Sequence, residues 1–160
     1  MIAELLDGRR PTTVLVGTGP GSFTGLRVAL AAAHGMAIGW GAELFGMPSL
    51  ALLAASAPGD CSVVSASAGG HGELFVQAFD RTPFAPKGEV VNLAPALAAR
   101  ISIELVVGSG AETLVAARGS GTALPLLPSA KFAMRLPVAL RTLPPAPLYI
   151  RAPDARPKAA

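Results

Sequence analysis

Cysteine and histidine are scarce in this sequence, with one cysteine and two histidines among 160 residues. A single cysteine cannot form an internal disulfide or supply a cysteine-rich zinc site. The lone thiol, Cys61, is followed by an apolar run typical of a strand, so we expect it to be buried. The histidines, His34 and His71, lack a second histidine at the helical spacing that lets two imidazoles share a metal. We therefore expect no metal site.

Charged residues are also few, at 14%, whereas apolar residues make up 51%. This balance argues against disorder and for a chain that buries much of its surface, as one ordinary domain or two small lobes. The longest stretch with few charges, from Val28 to Ala42, is shorter than the ~20 residues of a membrane-spanning helix. No basic segment precedes an apolar one at the N-terminus, as a secretory signal requires. We expect a cytoplasmic protein without a membrane span.

The net charge of +3 comes from dispersed arginines and lysines, three of which lie in the proline-broken tail after Tyr149. Direct RNA binding through Arg151, Arg156 and Lys158 would give a salt-sensitive affinity for tRNA. A solvated terminus is the alternative interpretation. We expect any contact with tRNA to be indirect or weak.

Strand and helix patterns alternate along the chain, which favours an α/β fold with a parallel or mixed sheet. The strands are predicted at 12–16, 43–47, 61–66, 72–79, 89–92 and 104–107, and the strands at 61–66 and 72–79 are expected to form a hairpin. The helices are predicted at 26–40, 48–55, 95–100 and 129–141, the last interrupted by Pro137. Ile2, Leu5 and Leu6 share a helical face and indicate the end of a further helix.

The segment Gly17-Thr-Gly-Pro-Gly-Ser-Phe-Thr-Gly25 lies between a predicted strand and a predicted helix, where phosphate-binding loops occur. A Walker loop is excluded because no lysine follows Gly21, and Ser22 stands where a GxGxxG fingerprint has its third glycine. The alternative is structural: the glycines permit unusual backbone angles, Pro20 stiffens the turn, and Ser22 or Thr24 caps the helix.

Small residues recur along the helix that follows this loop. Ala31, Gly35 and Gly39 form one line at a spacing of four, and alanines at 29, 33 and 37 form a neighbouring line. Another backbone can approach such lines closely. The helix packs in this way either on the protein's own sheet or on a second subunit. The candidate interface residues are Leu26, Ala31, His34, Gly35, Ile38 and Gly39.

Motifs of hydrolytic catalysis are missing. The carboxylates of Glu43, Asp60, Glu73 and Asp80 form no recognisable acid and base pair. The sequence contains neither a Gly-x-Ser-x-Gly elbow nor a His-Glu-x-x-His zinc motif. Proteolysis is therefore disfavoured.

The block Gly19-Pro-Gly-Ser-Phe-Thr-Gly25-Leu-Arg27, followed by Gly35, Gly46 and Ser49-Leu50, resembles the signature of the bacterial TsaB family, also called YeaZ. Downstream, Gly72-Glu-Leu-Phe75 is similar to the family's Gly-Glu-aromatic strand, and Pro147-Leu-Tyr-Ile-Arg151 to its Pro-x-Tyr-x-Arg signature. The residues of the signature loop are Gly19, Pro20, Gly21, Ser22, Phe23, Thr24, Gly25 and Arg27.

The resemblance implies an actin-like ATPase (ASKHA) fold with two small lobes and mixed sheets. Residues 1–58 would be the remainder of an N-terminal lobe carrying the glycine loop and the interface helix, residues 59–146 a C-terminal lobe, and residues 147–160 an extended basic tail.

It also implies a non-catalytic dimerisation and scaffold subunit of the complex that forms N6-threonylcarbamoyladenosine next to the anticodon, in tRNAs that read codons beginning with A. The implied partners are a TsaD-like catalytic paralogue and a TsaE-like ATPase, with a homodimer when the chain is alone, and no cofactor is expected. The alternative is a nucleotide-binding phosphotransferase or hydrolase of the same superfamily, described as glycoprotease-like, that uses the glycine loop.

The chain departs from the family patterns at three places. The catalytic paralogue has a metal-binding His-x-x-x-His on the helix corresponding to 48–55, where this chain has Ser49 and Leu53, so no catalytic residue is expected. Residues 68–71 replace a common Asp-Ala-Arg. The family's first strands and most of its first helix have no counterpart in this sequence. We expect the cause to be a start codon assigned too late or a truncated gene.

Overall fold

Helices and strands alternate through the computed structural model, which describes residue 4 and residues 6–150. The helix end predicted from Ile2, Leu5 and Leu6 lies mostly outside these residues, and Arg151, Arg156 and Lys158 lie outside them entirely. The elements are β1 (Thr13–Gly17), α1 (Phe23–Trp40), β2 (Glu43–Met47), α2 (Ser49–Ser56), β3 (Val63–Ala68), β4 (Leu74–Arg81), β5 (Phe84–Leu93), α3 (Pro95–Ala98), β6 (Leu105–Val107), α4 (Ala111–Arg118), β7 (Thr122–Leu124) and α5 (Val138–Arg141).

Two sheets are present in the described residues. Strands β1 and β2 pair in parallel, with Thr13 opposite Glu43 and Gly17 opposite Met47. The second sheet has the order β5-β4-β3-β6-β7, in which β3, β6 and β7 are parallel and β4 and β5 are antiparallel to their neighbours. The predictions of an α/β fold with a mixed sheet and of a hairpin between β3 and β4 are confirmed.

The five-stranded sheet is covered on both faces, as the alternation of buried residues along β3 shows. Val63 belongs to a cluster with α2, whereas Val64 belongs to a cluster with α3 and α4. Helix α2 is buried on all sides from Leu50 to Ala55, as expected for a segment in which every residue is apolar. Ser65 is wholly buried beneath it, and its hydroxyl donates to the carbonyl of Leu50 at 2.7 Å.

Helix α1 covers one face of the β1–β2 sheet. It begins where the hydroxyl of Ser22 accepts from the N–H of Gly25 at 3.1 Å, which confirms Ser22 as a cap, and it ends at Gly41 in the left-handed region. Its buried residues are Leu26, Leu30, Ala33 and Ala37. The alanines at 33 and 37 therefore pack on the protein's own sheet. This agrees with the first of the two interpretations of the small-residue lines.

Three predictions about individual segments are wrong or incomplete. Cys61 is exposed, because β3 begins only at Val63 and the cysteine lies before it. The helix predicted at 129–141 is a 3-10 turn (Ala130–Arg135) and the short helix α5, separated by the extended backbone of Leu136 and Pro137. Strand β5 is longer than the predicted 89–92. It is an edge strand, which tolerates Pro86 and Gly88.

Helix α4 and strand β7 have no counterpart among the predicted elements. The ends of α4 carry the usual signals, with Glu112 in the first turn, Arg118 in the last turn and Gly119 in the left-handed region. These cap signals could have located the helix. None of the described helices is long and apolar enough to cross a membrane.

Candidate interaction site

The glycine loop is attached to the junction between β2 and α2. The N–H of Ser49 donates to the carbonyl of Gly19 at 2.9 Å, and the N–H of Gly19 donates to the hydroxyl of Ser49 at 3.3 Å. The N–H and the hydroxyl of Thr18 both donate to the carbonyl of Met47, at 2.9 and 3.1 Å. These bonds fix the loop from which α1 starts.

The C-terminal segment of the described chain joins the same cluster. The N–H of Leu148 donates to the carbonyl of Thr18 at 2.8 Å, and Gly46 and Leu143 exchange two backbone hydrogen bonds. A Cβ on Gly46 would lie 2.5 Å from the carbonyl oxygen of Pro144 and 2.6 Å from Cγ2 of Thr18, so no larger residue fits there. The structure thus brings together the glycine loop, Gly46, Ser49 and the segment before Tyr149.

Phe23, Arg27 and Tyr149 form an exposed cluster at the start of α1. The guanidinium carbon of Arg27 lies 3.7 Å from the centroid of the Phe23 ring, and its Nε donates to the Tyr149 hydroxyl at 3.2 Å. The rings of Phe23 and Tyr149 are 5.2 Å apart between centroids. The aromatic contact of Phe23 and the hydrogen bond of Arg27 attach Tyr149 to the helix, and the cation–π contact orients Arg27 on Phe23.

The outward face of α1 carries no packing partner within the described residues. Ala31, Gly35 and Gly39 are exposed, and a Cβ added to either glycine would meet no atom within 4 Å. Val28 and Ile38 stand beside this line with 63% and 81% of their surfaces exposed. We call Val28, Ala31, Gly35, Ile38 and Gly39 the open strip.

Two of the other candidate interface residues have contacts inside the chain. Leu26 is buried beneath the loop, where its methyl groups would lie 3.0–3.3 Å from a Cβ on Gly19, so it is not available on the surface. His34 is exposed, and its Nδ1 donates to the carbonyl of Leu30 at 2.8 Å within the helix. Leu26 is therefore not part of the exposed candidate interface, and His34 lies at the border of the open strip.

Several backbone N–H groups at the two ends of the loop are used within the chain, which bears on phosphate binding. Those of Thr18 and Gly19 donate to Met47 and Ser49, and those of Gly25 and Leu26 donate to the hydroxyl and the carbonyl of Ser22. A phosphate site at a helix start depends on N–H groups directed at the ligand. The N–H groups of these four residues are therefore not available to a phosphate.

The positions that correspond to the paralogue's metal ligands do not fit a metal. The hydroxyl of Ser49 is engaged with the loop, and Leu53 is 1% exposed within the core. His34 lies on α1 and His71 in the 3-10 turn Gly70–Gly72, on different elements. In the part of the chain that the structure describes, no group of three or more His, Cys, Asp or Glu side chains could hold a metal ion.

Comparison with models of known protein families gives a match that includes most of this cluster. Residues 6–91, slightly more than half of the chain, match the family model described as TsaD: tRNA N6-adenosine threonylcarbamoyltransferase. The matched range contains the glycine loop, α1 and Ser49. None of the curated proteins matches the chain.

Two solved structures are similar over most of their length. One is described as an uncharacterized protein with similarity to peptidase YeaZ from Pseudomonas aeruginosa; it has a TM-score of 0.74 and 23% identity, covering 94% of this chain and 81% of that one. The other is YeaZ from Pseudomonas aeruginosa, with a TM-score of 0.68 and 25% identity, covering 84% of this chain and 71% of that one. The fold is thus that of the YeaZ structures.

Proposed function

Since the chain belongs to the family of the tRNA N6-adenosine threonylcarbamoyltransferase TsaD, we propose that it serves threonylcarbamoyl modification of tRNA as a non-catalytic scaffold subunit. The product of the complex is N6-threonylcarbamoyladenosine next to the anticodon, in tRNAs that read codons beginning with A. The likeness to the YeaZ structures supports a subunit of the TsaB type.

The open strip is the observation that carries the proposal. A helix with glycine and alanine along its outward face lets a second helix approach to about 8 Å, the lower end of usual helix packing. The same face exposes Val28 and Ile38, whose burial would stabilise a complex. Leu30, Ala33 and Ala37 fix the inner face of α1 on its own sheet, so the outer face is presented in one orientation.

The proposed partners are a TsaD-like catalytic paralogue on the open strip and a TsaE-like ATPase in the same complex. When the chain is alone, a second copy takes the paralogue's place. We also propose the division into lobes that the resemblance implies: residues 1–58 contain the β1–β2 sheet, residues 59–146 contain the five-stranded sheet, and residues 147–160 form the basic tail. An ASKHA-type arrangement of these lobes is part of the proposal.

Two local features support a non-catalytic role over the alternative of a nucleotide-binding phosphotransferase or hydrolase. The N–H groups of Thr18 and Gly19 are engaged within the chain, and Ser49 and Leu53 occupy the positions where the resemblance places metal ligands in the paralogue. The chain would then contribute to the reaction by binding and orienting its partner.

Reconstitution tests the proposal. The chain is combined with the TsaD-like paralogue and the TsaE-like ATPase of the same organism, ATP, the threonylcarbamoyl donor and tRNA, and the modified nucleoside is measured by mass spectrometry. We expect product only when the chain and the paralogue are both present, and no ATP hydrolysis by the chain alone. Full product formation without the chain, or ATP turnover by the chain that survives stringent purification, would contradict the proposal.

A further inference from the structure

A cavity lies on the face of the β1–β2 sheet that points away from α1. Val14 and Val16 on β1 face the helix, so the residue between them, Leu15, faces the other way. There it lines a cavity of about 410 Å³ between the sheet and the chain near α5. The lining residues are Thr13, Leu15, Phe45, Met134, Arg141 and Thr142.

Arg141 gives this cavity its charge. Its Nε is buried and has no hydrogen-bond acceptor among the described residues, and its Nη1 lies 3.5 Å from Sδ of Met134, a weak acceptor. A buried guanidinium N–H without an acceptor is unfavourable, since the group has lost its water. No carboxylate lines the cavity, and Glu43, which shares a strand face with Phe45, is exposed.

The rest of the lining is apolar with two hydroxyl groups. The apolar lining residues are Leu15 and Phe45, which are half-buried, and Met134, which is 69% exposed. Thioethers make favourable contacts with aromatic rings. The hydroxyl of Thr142 donates to the carbonyl of Val138 at 2.9 Å, which leaves its oxygen free to accept. A cavity of this size lies within the range of small-molecule sites, about 300–1,000 Å³.

We propose that the cavity binds a small organic carboxylate with a compact apolar or aromatic body. The carboxylate accepts from the guanidinium of Arg141, and the body lies against Leu15, Phe45 and Met134. A carboxylate neutralises the charge of the guanidinium, which a neutral or cationic group cannot do. This site goes beyond the proposed scaffold function and does not depend on it, because the open strip lies on the other side of the sheet.

Three probes with one carbon skeleton test the proposal on the full chain: phenylacetate, 2-phenylethanol and 2-phenylethylamine. Titrations are followed by calorimetry and by the amide NMR signals of Thr13 and Thr142. We expect phenylacetate to bind at least about tenfold more tightly than 2-phenylethanol and to shift both signals, and 2-phenylethylamine not to bind. Equal binding of all three probes, or no binding of phenylacetate, would overturn the proposal.

Arg141→Met removes the positive charge but keeps a long apolar side chain. It therefore tests the effect of the charge separately from the shape of the cavity. We expect it to weaken phenylacetate binding by about tenfold or more and to leave 2-phenylethanol binding unchanged, which also shows that the cavity is intact. Arg141→Gln serves as a second variant should the methionine variant fail to fold. Arg100→Met, an exposed arginine beyond α3, is the matched control and should bind phenylacetate as the parent chain does. Unchanged phenylacetate affinity in both Arg141 variants would refute the site.

Discussion

Ser49 and Gly19 are joined by two hydrogen bonds across a sequence separation of 30 residues, with the N–H of Ser49 donating to the Gly19 carbonyl and the Gly19 N–H donating to the Ser49 hydroxyl. A Cβ on Gly17 would lie 3.2 Å from the same hydroxyl, so Ser49 sits close against the loop. At the position where the resemblance places a metal ligand in the catalytic paralogue, this chain thus has a side chain that holds the loop before α1.

Ser49→Ala removes the acceptor for the Gly19 N–H, which is partly buried. We expect the free energy of unfolding to fall by about 0.5–1.5 kcal/mol, the usual contribution of a hydrogen bond of this kind. Urea unfolding measures it. Ser56→Ala on the same helix is the matched control, because the Ser56 hydroxyl only donates to Leu52 one turn back. The control should be close to neutral, since alanine favours a helix. Equal losses in both variants would contradict the assigned role of Ser49.

Gly35 offers a test that separates folding from partner binding. Its φ is not in the left-handed region, and a Cβ there would meet no atom within 4 Å. Gly35→Ala and Gly35→Leu should therefore raise the free energy of unfolding by roughly 0.5–1 kcal/mol, since glycine is the weaker helix former. Urea or thermal unfolding of the isolated chain measures this gain.

The same two variants should differ in binding the proposed TsaD-like partner. Leucine at position 35 would hold a second helix away from α1, whereas alanine adds one methyl group. We expect Gly35→Leu to weaken the complex at least about tenfold and Gly35→Ala much less, measured by calorimetry or co-purification. Ala116→Leu on the exposed side of α4 is the control and should bind normally. A stable Gly35→Leu chain with parental affinity would show that the partner binds elsewhere.

The sequence predicts those parts of the fold whose signals are local. Strand β2 occupies the predicted residues, β1 is displaced by one residue, and Ser22 caps α1 as expected. The resemblance to the TsaB family rests in part on the glycine loop, Gly46, Ser49 and Tyr149, and these positions meet in one cluster.

Contacts between distant residues could not be predicted in this way. Helix α1 has small residues on both of its faces, so the pattern does not tell whether Ala33 or Gly35 points inward; packing on β1 and β2 decides it. The contact between Arg27 and Tyr149 joins residues separated by 122 positions, and nothing local signals it. The cavity beside Arg141 could not be predicted either, because it is lined by residues of the β1–β2 sheet and of the chain near α5, which are far apart in the sequence.

Asp80 is expected to show a pH-dependent contribution to stability. The hydroxyl of Ser62, which donates to Oδ1 at 2.7 Å, and then the ammonium of Lys87 at 3.1 Å hold the pKa of the Asp80 carboxyl below its usual range. Because the folded pKa is the lower one, this contribution is present above the unfolded pKa of about 3.9 and is lost as the pH falls through the folded value.

Ser62→Ala should raise the pKa of Asp80 toward its ordinary value, because it removes the largest single cause of the shift. Lys87→Met should raise it as well, because it removes both a hydrogen bond and a positive charge. Carbon-detected NMR titration of the Asp80 carboxyl measures each value. Ser56→Ala, which is not in contact with Asp80, should leave the titration unchanged. An unchanged pKa in Ser62→Ala would show that the hydroxyl does not stabilise the charged carboxylate.

Arg118 holds the chain before β6 in place. Its Nη1 donates to the carbonyls of Ile101 and Ile103, at 2.7 Å each, its Nη2 to the carbonyl of Glu104 at 3.1 Å, and its Nε to that of Ser120 at 3.0 Å. The first two bonds are partly buried. One guanidinium therefore satisfies the carbonyls of a segment that has no other regular structure.

Arg118→Met keeps the length of the side chain but removes the donor to the partly buried carbonyls of Ile101 and Ile103. We expect the free energy of unfolding to fall by about 1–3 kcal/mol, since carbonyls that lose a charged donor while partly buried are left unsatisfied. Arg100→Met, an exposed arginine a short distance along the chain, should change it by no more than about 0.5 kcal/mol. Urea unfolding of the two variants gives both values, and amide hydrogen exchange locates the effect: protection should be lost around β6 and β7 and kept in α1. If Arg118→Met is as stable as Arg100→Met, the hydrogen bonds of Arg118 do not organise the entry into β6, and the apolar contacts of Ile101 and Ile103 must hold that segment alone.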